Sequence, residues 1–398
     1  MTTRRRLPAR YAALLAHEGA LRLAVLSLPM RLPLGTLALA TLLHLRDLTG
    51  SIAFAGSAVG AFFVASAATA PILGRLIDRR GPRGVLVATG LVCPIACATM
   101  MAAGPLALSK PAMLAVAAVA GAFSPPITVL IRTLWRARLA DPAERQAAFA
   151  LDAVVLELAY TIGPALIAVA VAVATPLAAM ALALAFVALC TPILFASGAL
   201  AWWAPAEIGD RHLLGPLRDP RLLVLFAATF TLTMAFGSLE VGYPGFGRAV
   251  GADAWGPALI ALSSIGSAVG GLAYGGFHLH APLRRQLPVA MAAMAAPLAL
   301  HLPIDNPWAL APVAFAAGMM IAPAMTVVSL LVSEFAPPKY ATEAFTWSAT
   351  AIVTGLGAGM TVSGMLVESL GPTGAFAWAS ASALAASILA FALHRMRP

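Results

Sequence analysis

The sequence predicts an all-α integral membrane protein: twelve transmembrane helices in two six-helix bundles related by a pseudo-two-fold axis along the membrane normal. Three observations carry that expectation. The 398 residues are 61% hydrophobic and 10% charged, with a mean hydropathy of +0.90, whereas a soluble domain carries roughly 25% charged residues to dress its surface. Apolar stretches of the length that crosses a bilayer, about 20 residues, recur from end to end. The 25 Lys and Arg residues gather in alternate connections between them.

Taken in order, the spans fall near 22–45, 52–73, 84–104, 111–134, 147–174 and 177–199 in the first half. In the second half they fall near 222–245, 255–277, 287–304, 308–333, 343–367 and 373–394. The run from Ala20 to Leu45 is too long for a signal-peptide core and leads into further spans, so it reads as a retained first helix behind the basic tail Arg4-Arg5-Arg6. Several spans contain Pro or Gly, which membrane helices tolerate. Between the halves the chain turns polar, with Glu207, Asp210, Arg211, Arg218, Asp219 and Arg221 following an interfacial Trp202-Trp203 pair. This divides the chain into an N-terminal bundle (1–199), a cytoplasmic linker (200–221) and a C-terminal bundle (222–398).

Orientation follows from Lys and Arg. With the N-terminus inside, the cytoplasmic segments hold 20 of the 25 cations and the opposite side holds Arg46, Lys110 and Arg248; Arg22 and Arg31 fall in the first span. That bias predicts a multi-pass protein of the inner (cytoplasmic) membrane with both termini in the cytoplasm. The net charge of +9 does not indicate nucleic acid as a partner, because the arginines sit in short clusters between apolar runs without interleaved aromatic residues.

An internal repeat supports the two halves. Ala148-Phe149 corresponds to Ala344-Phe345 at an offset of 196 residues, and the same offset pairs Ala153 with Ala349 and Gly163 with Gly359. Parallel repeats of this kind are one transporter architecture.

The connection between the second and third spans reads Gly74-Arg75-Leu76-Ile77-Asp78-Arg79-Arg80-Gly81-Pro82-Arg83-Gly84. Gly74 suits a close helix crossing and Gly81 a tight reversal, and Asp78 is a lone acid among arginines. The segment resembles the signature loop of the major facilitator superfamily, G-x-L-x-D-R-x-G-x-[RK], at every defined position: Gly74, Leu76, Asp78, Arg79, Gly81 and Arg83. The resemblance implies a secondary transporter working by alternating access. It also implies that Asp78 latches the halves on the cytoplasmic side, meeting the start of the eleventh span near Thr342 to Phe345 and Arg136 or Arg138 after the fourth. The equivalent loop of the second half, from Gly275 to His280, has no acid before Arg284 and Arg285.

In the fifth span, Gly163-Pro164 resembles the glycine–proline motif of the superfamily's drug–proton antiporters, although Ile167 and Ala168 stand where the fuller motif has glycine. The pair reads as an efflux motif, with a packing kink as the other reading. The resemblance is thus strongest to the bacterial drug and small-molecule efflux branch. It implies proton-coupled efflux of an amphipathic or hydrophobic compound by a monomer without a cofactor, with proton-coupled import as the alternative.

Ionisable residues inside spans are functional candidates by default. Arg31, in Pro29-Met30-Arg31-Leu32-Pro33, and Glu157 lie at similar depth in the first and fifth spans. They are expected to face each other, either as a coupling pair in which Glu157 carries the proton or as a permanent ion pair stapling the two helices. Glu240, near the outer end of the seventh span, is either a second titrating or substrate-contacting group or an acid capping the helix end. Arg132 is assigned to the loop cluster, and Asp152 to the first turn of the fifth span, where the helix dipole favours an acid.

No metal site is expected. Cys93 and Cys97, four residues apart, read with Cys190 as buried thiols, and His278 and His280 stand in a loop with no other ligand. No cluster of His, Asp or Cys near the membrane surface supports a membrane-embedded enzyme.

Overall fold

The computed structural model describes residues 7–203, 215–252, 255–277, 279 and 281–396, and every regular element among them is helical. Glu207, Asp210, Arg211, His278, His280 and the arginines at 4–6 lie outside the described residues. A short helix α1 (Leu7–Leu15) precedes the first span α2 (Ala20–Thr49). Then come α3 (Ile52–Arg80), α4 (Pro82–Met101), α5 (Lys110–Ala122), α6 (Ile127–Arg138), α7 (Pro142–Val173) and α8 (Pro176–Ser197). The second bundle holds α9 (Pro220–Ala249), α10 (Trp255–Gly276), α11 (Leu283–Leu300), α12 (Pro307–Gly318), α13 (Ile321–Phe335), α14 (Ala341–Leu370) and α15 (Pro372–Arg395).

Taking α5 with α6 and α12 with α13 as single crossings gives twelve. Eleven are plainly long and apolar enough to span a membrane. The twelfth, α11, opens on Leu283-Arg284-Arg285-Gln286, which dilutes its apolar content. The fourth crossing breaks at Ser124-Pro125-Pro126, where proline removes backbone donors and pushes the preceding residue out of the helical region. The tenth breaks at Met319-Met320, four residues before Pro323, whose missing N–H leaves the Met319 carbonyl without a helical donor. Its α12 ends on Gly318, where an added Cβ would strike the Ser263 carbonyl of α10.

The reversals near 81, 140, 280 and 338 lie with both chain ends on one face, here the terminal face. Those near 50, 105, 175, 252, 303 and 371 lie on the far face.

Helix α7 starts earlier than the expected 147, because Asp141 caps it by accepting from the Ala143 N–H (2.8 Å) and Pro142 occupies its first position. Asp152 is therefore eleven residues in. The expectation of a first-turn acid fails for that reason.

The pseudo-symmetry is visible in the crossings. In the first bundle α2 packs on α7, and in the second α9 packs on α14. Gly163 lies against Gly35 of α2, as Gly359 lies against Met234 of α9, each so close that an added Cβ would meet backbone. Across the seam α3 crosses α14 and α10 crosses α7. The repeat partners Phe149 and Phe345 meet edge-on, with centroids 6.0 Å apart.

The buried core differs along the membrane normal. One cluster joins both bundles through residues such as Ile77, Leu134 and Phe149 of the first and Leu331 and Phe345 of the second. A separate cluster, including Leu37, Ala58, Cys97, Met113 and Ala183, belongs to the far half of the first bundle alone. The shared core thus joins the bundles toward the terminal face, while the far half of the first bundle packs without the second.

Candidate functional site

The terminal-face seam is built around Asp78, buried at the last turn of α3. Its two carboxylate oxygens accept from the backbone N–H groups of Thr342 (3.0 Å) and Glu343 (2.8 Å) at the start of α14. The acid thereby caps a helix of the other bundle, where orphan donors and the helix dipole both favour an anion. Beside it Arg75 Nη2 donates to Glu343 Oε1 (2.5 Å), and Arg136 Nη2 donates to the Ala336 carbonyl (2.6 Å) after α13. Gly74 gives α14 its close approach, since an added Cβ would lie 2.6 Å from Thr346 Oγ1. Gly81, at φ +85°, makes the reversal into α4 beneath Trp203. Leu76 packs on the shared core, whereas Arg79 and Arg83 are exposed. Arg138 lies over the Trp202 ring, 5.7 Å from its centroid, and stays within the first bundle.

The α10–α7 crossing is tied differently. Gln146 Nε2 donates to the carbonyls of Tyr274 (2.7 Å) and Phe277 (3.1 Å), satisfying the C-terminal end of α10. Tyr11 of α1 donates its hydroxyl to the Leu272 carbonyl (3.0 Å), which carries the N-terminal helix across the seam. Burial pushes the Tyr11 phenol up to about 12, so it remains a donor at neutral pH. His17 joins Glu144 at 2.7 Å, holding the α1–α2 turn to the first turn of α7. Arg75, Gln146 and Tyr11 carried no assignment from the sequence, and Glu343 only a place in the stretch expected to meet Asp78. Glu343 had a visible signal, as an acid in the first turn of a span, and Arg75 occupied an undefined motif position. Gln146 and Tyr11 had none.

One level deeper the structure corrects the expected Arg31–Glu157 pair. Arg31 gives Nη2 to Asp152 Oδ1 and Nη1 to the Asp152 carbonyl (3.4 Å), while Arg132 gives Nε to Asp152 Oδ2 (2.8 Å). All three side chains are at most 5% exposed. Arg132 is therefore part of this buried triad and not of the loop cluster. Five residues separate Asp152 from Glu157, about 140° around the helix, so the two acids cannot both face α2. Two guanidinium groups share one carboxylate, and Arg31 Nε has no partner.

Glu157 faces the other way, toward α10. Its carboxyl lies beside the fully buried Ser267 hydroxyl and within electrostatic reach of Glu240 on α9. Glu157 is half-buried and Glu240 exposed. No ion pair among the described residues involves either. Tyr160, one turn from Glu157, is 44% exposed at mid-depth. Acids at this depth in a membrane protein face the bundle interior or a water-filled cavity, which assigns Glu157 and Glu240 to a cleft between the bundles. Gly163 and Pro164 lie deeper in the first bundle, packed on Gly35. The three cysteines are buried thiols.

A pair of six-helix bundles, closed at one face by an acid capping the partner's helix and cleft at the other, has counterparts among known proteins. The solved structures it resembles include the human organic anion transporter MFSD10, at 19% identity over 93% of this chain and 99% of that one, TM-score 0.72. They also include a bacterial homologue of the iron transporter ferroportin in its outward-facing state, at 11% identity over 94% and 98%, TM-score 0.77. A third is the transporter FucP in its outward conformation, at 10% identity over 94% and 99%, TM-score 0.69. No curated protein matches the sequence. The sequence profile of the Major Facilitator Superfamily matches residues 23–351, so this chain is a membrane transporter of small molecules, not an enzyme, and belongs to that superfamily.

Proposed function

We propose that this protein is a proton-coupled exporter of an amphipathic or hydrophobic small molecule. It acts as a monomer in the inner membrane, with the terminal face in the cytoplasm. The observation that carries the coupling is Glu157: a carboxyl at mid-depth, open to the cleft, with no cation holding it ionised. Such a group takes up a proton when the cleft faces one side and loses it when the cleft faces the other. The Arg-rich terminal face supports the sidedness. The contact of Asp78 with α14, next to Arg75–Glu343 and Arg136–Ala336, supports a cytoplasmic latch that must break for the cleft to open inward. The motif residues Gly74, Leu76, Arg79, Gly81 and Arg83 shape the loop that carries it. The division at 200–221 then separates the two rocking bodies, 1–199 and 222–398. Gly163-Pro164, packed on Gly35, is compatible with the efflux direction through its likeness to the antiporter motif.

The test is flux in proteoliposomes under an imposed pH gradient. Wild type should move substrate against the proton flow, and Glu157→Gln should lose gradient-driven flux by about a hundredfold or more, the lower end of the effect of removing a proton-transfer group. Unchanged gradient-dependent flux in the variant would remove Glu157 from the coupling role. Flux in the same direction as the protons would make the protein an importer.

A further inference from the structure

The terminal face closes along two seams, α3 against α14 and α10 against α7, and the pseudo-symmetry makes each the image of the other. The match holds residue by residue. An added Cβ at Gly74 would lie 2.6 Å from Thr346 Oγ1, and one at Gly275 would lie 2.7 Å from Ala150 Cβ. The 196-residue offset that pairs Phe149 with Phe345 also carries Thr346 onto Ala150 and Thr342 onto Gln146. Four residues on from each glycine, the first seam has Asp78 and the second has Leu279. The second seam lacks its acid.

The start of α7 explains why an acid there would have nothing to cap. Helix α14 begins at Ala341, so the N–H groups of Thr342 and Glu343 are orphan donors that Asp78 satisfies. The repeat counterpart of Ala341 is Arg145, but α7 already begins at Pro142 behind its own Asp141 cap. Gln146 and Ala147 are its fifth and sixth residues, and their N–H groups are satisfied inside the helix. With no backbone donors offered by α7, this seam is tied in the opposite sense. Side chains of the first bundle donate to carbonyls at the end of α10.

Gln146 reaches the Tyr274 and Phe277 carbonyls, and Tyr11 reaches that of Leu272 at 3.0 Å. Tyr11 lies ahead of the repeated helices, on α1, and α1 is anchored to the first bundle. Leu14 is fully buried in the shared core, and His17 meets Glu144 of α7 at 2.7 Å. The Tyr11 hydroxyl sits over Gly275, where a side chain on α10 would strike it.

We propose that α1 is a second latch of the terminal face. Tyr11 on the Leu272 carbonyl, beside the Gln146 contacts, does at the α7–α10 seam what Asp78 does at the α3–α14 seam. When the face opens, α1 stays on α7 and Tyr11 withdraws from the notch at Gly275. The proposal rests on the reading of this face as one that opens during transport.

The test reads the distance between spin labels at Ala140 and Arg285, exposed positions of the first and second bundles at this face. It uses the full-length protein in nanodiscs, with Cys93, Cys97 and Cys190 replaced by alanine. Tyr11→Phe, which removes only the donor, should raise the ratio of open to closed distances about three- to tenfold, the range for one hydrogen bond between uncharged groups. Adding Gln146→Leu should raise it further. The same variants are measured in Asp78→Asn protein, where effects at two separate seams should multiply. Distances unchanged by Tyr11→Phe in both backgrounds would overturn the proposal. Opening by Asp78→Asn with Tyr11→Phe inert would do so while keeping the face as a gate. A wild type that gives no flux in proteoliposomes, yet opens on Tyr11→Phe, would sink the transport reading and leave the latch standing.

Discussion

At the scale of single residues, the Arg31–Asp152–Arg132 triad has an uneven structure that makes a sharp prediction. Breaking a buried ion pair by removing one partner costs about 3–5 kcal/mol, because the survivor is left charged and unpaired. Removing Asp152 strands two guanidinium groups, whereas removing Arg132 leaves the Arg31–Asp152 pair neutral. Asp152→Asn should therefore lower thermal stability in detergent far more than Arg132→Gln, and the reverse order would contradict the triad. The members of this triad were visible in the sequence as charged residues in or beside apolar spans, but the pairing was not. Which acid meets Arg31 depends on depth along α7, and the start at Pro142 behind the Asp141 cap makes Asp152 the eleventh residue of α7, level with Arg31 as the twelfth of α2. An error of five residues in a helix boundary moved Asp152 from the core to the first turn and left Glu157 as the apparent partner. The motif residue Asp78 was legible because its neighbours along the chain define it; the triad was not, because its members come from three separate helices.

At the scale of helices, the crossings rather than the lengths distinguish this chain from a generic run of spans. Gly35 and Gly163 bring α2 and α7 into backbone contact, and a Cβ at Gly35 would strike the Ala159 carbonyl and lie 3.1 Å from Pro164. Overpacking a tight site costs about 1–3 kcal/mol, so Gly35→Ala should measurably lower the melting temperature. Gly56→Ala should not, since nothing lies within 4 Å of an added Cβ there. A thermal shift at Gly56 as large as that at Gly35 would contradict this account. The 196-residue repeat made the pairing of Gly163 with Gly359 readable in advance, because equivalent helices in the two bundles need the same small residue at the same crossing. The break at Pro125-Pro126 was also written in the sequence, yet a tolerance for proline in membrane helices masked it. The break at Met319-Met320 had a local signal too, in Pro323, whose missing N–H leaves the Met319 carbonyl without a helical donor. The close approach of α10 to Gly318 adds a tertiary contact that no window of sequence contains.

At the scale of the whole molecule, closure at one face and parting at the other describe a single state of a two-state machine, and the contacts say what holds it. Hydrogen bonds involving a charged group contribute about 1.5–3 kcal/mol each, and Asp78 makes two across the seam. Asp78→Asn should thus shift the balance toward the inward-open form, seen as longer distances between spin labels placed on opposite bundles at the terminal face. Unchanged distances would mean that α1, Gln146 and the shared core suffice to hold the seam without the acid. A covalent seam tests the same point from the other side. In a background where Cys93, Cys97 and Cys190 are replaced by alanine, Gln146→Cys and Phe277→Cys stand at the ends of an existing cross-seam contact. Joining them with a short cleavable crosslinker should stop transport entirely and return it on cleavage. Substrate binding from the far face should survive throughout, because the cleft beside Glu157 stays open on that side while the terminal face is held shut. If crosslinked protein still transports, the bundles need not separate at this face, and the cleft would have to empty by another route.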